Sequence, residues 1–188
     1  MKNLSKAAGV SLAAAMLVAC SNVATIPHNF VSEGYKPNFL NYTAGRGGMF
    51  TEVVGNPFDI PQQELDSAVT TSLEENHFGP ELPFFTEPPE GFSSPYKVVV
   101  LMNAAPGASP SRLCENPDQP RSTETGDLRV LAAFCLDNYR ISSSGGSISG
   151  ASGPDDPRFQ TLMSQISLLL FPSVPTDPGA NDGIRRAG

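Results

Sequence analysis

Chemistry in this chain would have to come from few residues: three cysteines, Cys20, Cys114 and Cys135, and two histidines, His28 and His77. A histidine acts as base, shuttle or ligand only beside a second group that its geometry serves. His28 and His77 lie 49 residues apart, and neither has a plausible ligand or nucleophile at a recognised spacing. The sequence holds no GxSxG elbow, no HExxH and no phosphate-cradling GxxxxGK. Glu74 with Glu75 and Asp155 with Asp156 are sequence neighbours, which point in different directions on a helix and read as solvated or capping charges. The hydroxyl-rich stretch SSSGGSISG from Ser142 has no identifiable base and reads as a flexible strand edge. No catalytic residue, metal site or cofactor is expected.

Cys20 stands apart because of what precedes it. Lys2 and Lys6 open the chain, and an apolar run follows from Ala7 to Ala19. Positive charge is retained on the cytoplasmic side. An apolar run of 13 residues is short against the roughly 20 that a helix needs to cross the hydrocarbon core. The stretch is therefore expected to be a cleavable signal, not a permanent span. Its last four residues, Leu17, Val18, Ala19 and Cys20, resemble the lipobox of bacterial lipoprotein precursors, in which small residues admit the signal peptidase and the cysteine thiol receives a diacylglycerol.

That resemblance covers this segment alone. It implies a mature chain beginning at a triacylated Cys20, anchored durably because several acyl chains each bury many methylenes. In this family an aspartate directly after the cysteine favours the inner membrane. Ser21 stands there instead, so the resemblance implies the outer membrane, with the domain expected to face the periplasm. With Cys20 given to lipid, Cys114 and Cys135 remain as an even pair in an oxidising compartment, which predicts a disulfide between them. They lack the CxxC spacing of redox or metal sites.

Loss of residues 1–19 removes Lys2 and Lys6 and leaves 10 basic residues against 19 acidic ones. A surface of that sign repels phosphate polymers, so no nucleic-acid partner is expected. The sequence contains 17 glycines and 18 prolines, concentrated in connections, which predicts long loops. Residues 20–48 show no sustained period and read as a lipidated cysteine followed by a flexible tether. Residues 49–172 read as one α+β domain, and 173–188 as a disordered tail.

Within the domain, Met49 to Val54 predicts a short strand. A helix follows, with Asp59 and Gln62 as a capping box, Leu65, Ala68, Val69 and Leu73 on its apolar face, and Gly79 and Pro80 as its stop. Gly79 to Pro95, with Phe84, Phe85 and Phe92, reads as a loop over the core. Tyr96 to Asn103 and Leu128 to Leu136 are apolar at nearly every position, as inner strands covered on both faces would be. A more polar strand should run from Tyr139 to Ser152, bulged or bent at Gly145 and Gly146. Asp156 caps a last helix whose core face is Phe159, Leu162, Met163, Ile166, Leu169 and Leu170.

These elements add up to an α+β fold: a small mixed or antiparallel sheet of about four strands, with two amphipathic helices on one face. The second face of the last helix, with Gln160, Thr161, Ser164, Gln165 and Ser167, carries only Arg158 as a charge, and Gln160, Thr161, Ser164 and Gln165 are the candidate partner surface. The expected function is non-enzymatic: an accessory or structural lipoprotein of a cell-envelope complex, held by its lipid anchor and docked on an envelope protein. The alternatives are binding of a small apolar or lipid ligand under Phe84, Phe85 and Phe92, and an envelope hydrolase.

Overall fold

Two runs apolar at nearly every position set the centre of the molecule, because side chains alternate across a strand and both faces here are apolar. A computed structural model describes residues 24–123 and 126–173. Its strands are β1 (Thr25–Val31), β2 (Met49–Val54), β3 (Phe84–Phe85), β4 (Tyr96–Leu101), β5 (Asp127–Leu136) and β6 (Tyr139–Ser149). Its helices are α1 (Asn38–Ala44), α2 (Gln62–Glu75) and α3 (Pro157–Leu170), with a 3₁₀ turn at Pro110–Arg112.

The strands form one mixed sheet in the order β1-β6-β5-β4-β2-β3. β2 runs parallel to β3 and β4, and the remaining pairs are antiparallel. Val98, Val100, Val130, Ala132 and Phe134 point to one face, where they pack with Leu40, Leu65, Val69, Leu73, Leu162, Met163 and Ile166 of the three helices. Val99, Leu101, Leu131, Ala133 and Cys135 point to the other, under Ala104, Ala108, Leu113 and Cys114 of the segment that follows β4. The sheet is thus covered by helices on one face and by a loop on the other.

The α+β class and the mixed sheet agree with expectation, but there are six strands, not about four. Both extra elements at the front fall in the stretch 20–48 that reads as a tether: β1 and α1 belong to the domain. Pro27 within β1 argues against an inner strand, and β1 is an edge strand, where proline is tolerated. The register shifts between Thr25 and His28. Ile26 packs on the helix-side core, while His28 beyond the shift bonds Ser143 on the opposite face. α1 has seven residues and no side-chain cap, too little pattern for a period to register. The third addition, β3, is two residues long and pairs Phe84 and Phe85 with β2.

Three local expectations change. α2 begins after Pro61, not at an Asp59 cap; Asn56 organises the preceding turn, accepting from Phe58 N and donating to Ile60 O. Against β5, Gly145 and Gly146 lie in regular register and the irregularity falls between Phe134 and Cys135; against β1 the register shift falls opposite Gly146, between the pairs Thr25–Ser147 and His28–Gly145. Gly145 and Gly146 are glycines because neighbours fill the Cβ positions: Leu131 over Gly145, Ile26 and Leu162 over Gly146. Ser142, Ser143 and Ser144 form no flexible edge, since β6 lies between β1 and β5 and all three are fully buried. Ser142 Oγ donates to Leu170 O at 2.6 Å, satisfying one of the carbonyls left open at the end of α3.

Candidate functional site

Cys114 and Cys135 form the expected disulfide, with Cα atoms 5.7 Å apart. Cys135 lies on β5 and Cys114 just past the 3₁₀ turn, so the bond fastens the covering loop to the centre of the sheet. Both residues are buried, at 2% and 0% exposure. Gln119 adds a second fastening, with its amide accepting from Ser109 N and donating to Ser109 O. Arg129 donates to Ala105 O from the strand below. The signal segment, Cys20 and residues 174–188 lie outside the described residues.

The candidate partner surface on α3 divides in two. Asp156 caps the helix as expected, accepting from Arg158 N at 2.9 Å, and the Arg158 side chain bonded to it holds the Asp156 carboxyl well below the usual carboxylate range. In the first turns Gln160 and Thr161 are exposed. Further on, α2 covers the helix. Ser164 Oγ donates to Asn76 Oδ1 at 2.6 Å, and Ser167, fully buried, donates to Leu73 O. Gln165 is half-buried. The sparse charge on that side is largely explained by α2, whose C-terminal polar groups these serines satisfy.

The serine-rich strand meets a base that sequence spacing did not reveal. His28 Nε2 and Ser143 Oγ are 2.9 Å apart, although 115 residues separate them. Arg140 Nη1 donates to the same Oγ at 3.3 Å, and its guanidinium covers the Phe30 ring at 3.8 Å. Burial first, then the charges of Arg140 and Arg129, lower the His28 pKa. A neutral imidazole beside a hydroxyl is the pairing that activates a nucleophile. Ser143, however, has 0% exposure, and no carboxylate bonds the imidazole among the described residues. The pair fastens edge strand β1 to β6.

His77 follows α2 and sits among rings, its centroid 5.8 Å from Phe84 and 6.1 Å from Phe171. Its Nδ1 is buried without a partner. Burial lowers its pKa, partly offset by Glu74. From His77 the ring contacts continue through Phe171, Phe134, Tyr96 and Phe39 to Tyr35, whose hydroxyl burial pushes up to about 12. Of the three phenylalanines expected over a ligand, Phe84 belongs to the core, and Phe85 and Phe92 meet edge to face with centroids 4.8 Å apart. The hollow beside them is open to solvent, between Phe50, Phe92, Lys97 and Asn138.

One end of the sheet gathers the exposed aromatic surface. The large hydrophobic residues exposed among the described ones are Tyr42 (44%), Phe78 (55%) and Tyr139 (78%). Tyr42 lies on α1, Phe78 just past α2 and Tyr139 at the β5–β6 turn, all at the end where β4 begins and β1 finishes. The Tyr42 and Tyr96 rings meet at 5.6 Å, and Arg46 lies over Tyr42 at 5.3 Å while donating to its hydroxyl. Among the described residues no cluster of His, Cys, Asp and Glu could hold a metal ion, and no helix is long and apolar enough to cross a membrane. No family model, no curated protein and no solved structure matches this chain.

Proposed function

We propose that this chain is an outer-membrane lipoprotein, anchored through Cys20 and facing the periplasm, that serves as a non-enzymatic, accessory or structural part of a cell-envelope complex. The cysteine distribution carries the reading. Cys114 and Cys135 occupy each other, which leaves Cys20, behind Leu17, Val18 and Ala19, as the remaining thiol. A disulfide suits an oxidising compartment beyond the inner membrane, and a lipobox cysteine is the acceptor of the lipid. The non-enzymatic part of the reading is supported by the closure of the one serine–histidine pair found among the described residues.

The test is metabolic labelling with a fatty acid in a bacterial envelope, comparing the full-length chain with Cys20→Ala. We expect label on the wild-type chain, recovery in the outer-membrane fraction, and loss of both in the variant. Equal labelling of the two proteins would overturn the reading.

A further inference from the structure

We propose that Tyr42, Tyr96 and Tyr139, with Arg46, form the face on which this domain docks to a protein carried by the same membrane; the proposal rests on the lipoprotein reading. The first support is where the domain begins. β1 starts at Thr25, five residues after Cys20, so Thr25 stays within about 18 Å of the anchored cysteine even when the link is fully extended. A domain on so short a link does not reach across the periplasm. Its partner has to stand at the same membrane.

The second support is what the opposite end displays. Thr25 pairs with Ser147, and Tyr139 lies eight residues back along β6, about 26 Å away at the rise of a strand. The chain buries or half-buries its other large aromatic side chains among the described residues, yet leaves Tyr42, Phe78 and Tyr139 exposed at this one end. Tyr96 is opposite Leu136, and Leu136 opposite Tyr139, so Tyr96 and Tyr139 project from the same face two strand spacings apart, about 10 Å. Tyr42 closes the group against Tyr96. Tyrosine and arginine are the residues over-represented where binding energy concentrates, since they offer large rigid rings with a polar edge.

Charge defines the partner further. In the elements and turns that meet at this end the acidic residues are Glu33, Glu74, Glu75, Glu81, Glu87, Glu90 and Asp137 against Lys36, Arg46, Lys97 and Arg140, and of those cations Lys97 is paired with Glu52 and Arg140 lies over Phe30, so acid is in excess. The fitting surface is apolar at its centre and basic at its rim.

The experiment places a photo-crosslinking phenylalanine analogue in the full-length chain in the bacterial envelope, singly at Tyr42, at Tyr139 and, as a control at the other end, at Gln160. We expect one discrete adduct with an outer-membrane protein from Tyr42 and Tyr139 and none from Gln160. Tyr42→Ser should lower the Tyr139 adduct at least about tenfold while thermal unfolding of the variant stays close to wild type, because Tyr42 is exposed. An adduct from Gln160 alone, an adduct of twice the chain mass, or no adduct from lipidated chain would each overturn the docking face and leave the anchor standing. Failure of fatty-acid labelling would overturn the anchor itself, which is read separately.

Discussion

At the scale of single residues, the two histidines have structural work and carry a pH signature. Burial lowers both pKa values below the ordinary 6.5, so in the folded chain each stays neutral at a pH where the unfolded chain binds a proton. When the unfolded state binds more protons, stability rises with pH. Stability should therefore be constant above about pH 7 and fall as pH drops through 6.5 toward the folded-state values. Guanidinium midpoints measured from pH 7.5 to pH 5 check this. His77→Phe should flatten part of the slope, because a phenyl ring keeps the contacts to Phe84 and Phe171 and has no proton to gain. A slope of the opposite sign would place the titration elsewhere. Asp156, with its carboxyl held low by Arg158, affects stability only at more acidic pH. Ser143 shows how the same residue type changes meaning with context: its neighbours in sequence suggest a loose edge, while His28, 115 residues away, makes it an internal fastening.

Elements differ in how much of themselves they declare. α3 was legible to its cap, since Asp156, Pro157 and apolar residues at steps of three and four each follow from helix geometry. β4 and β5 were legible because a strand covered on both faces has few polar positions. β1 was not, because Pro27 and the register shift break its alternation, and its half-buried residues face two different layers. Nor was the pairing of α3 with α2: Ser164 and Ser167 look solvent-facing in a helical projection, yet they bond Asn76 and Leu73. The disulfide was legible from counting, but the layer it secures was not, since residues 103–122 have no period at all. That layer leads to an energetic expectation. Its apolar contacts are few: Ala104, Ala108, Leu113 and Cys114 against the sheet. Closing a loop with a sequence separation of 21 contributes roughly 3 kcal/mol in the chain-entropy model. The double variant Cys114→Ser, Cys135→Ser should lose about that much in denaturant unfolding. Because the loop also keeps Val99, Leu101 and Ala133 from water, the variant should bind a dye for exposed apolar surface before global unfolding. A midpoint equal to wild type would show that Gln119 and Arg129 hold the loop unaided.

For the whole molecule, the quantity on which the proposed docking turns is the distance between the proposed anchor, Cys20, and the fold. The stretch that reads as a tether in the sequence instead supplies an edge strand and a helix, so with the proposed anchor at Cys20 the link would be residues 21–24 alone and the domain would sit close to the membrane. A bound lipid and a short link act together as a high effective concentration, which falls roughly as the −3/2 power of link length once the link can span the sites. Inserting about 20 glycine and serine residues after Asn22 should therefore leave unfolding and fatty-acid labelling unchanged, while capture of a membrane partner through Tyr42 and Tyr139 drops by roughly tenfold. The insertion touches no described contact, so a loss of capture cannot be assigned to misfolding if the unfolding midpoint is retained. Capture that is indifferent to link length would mean that the partner finds the tyrosine face from solution, and that the anchor serves retention alone. The comparison thus separates two uses of one lipid: as a leash, for which length is immaterial, and as a placement device, for which the shortness of residues 21–24 is the functional feature.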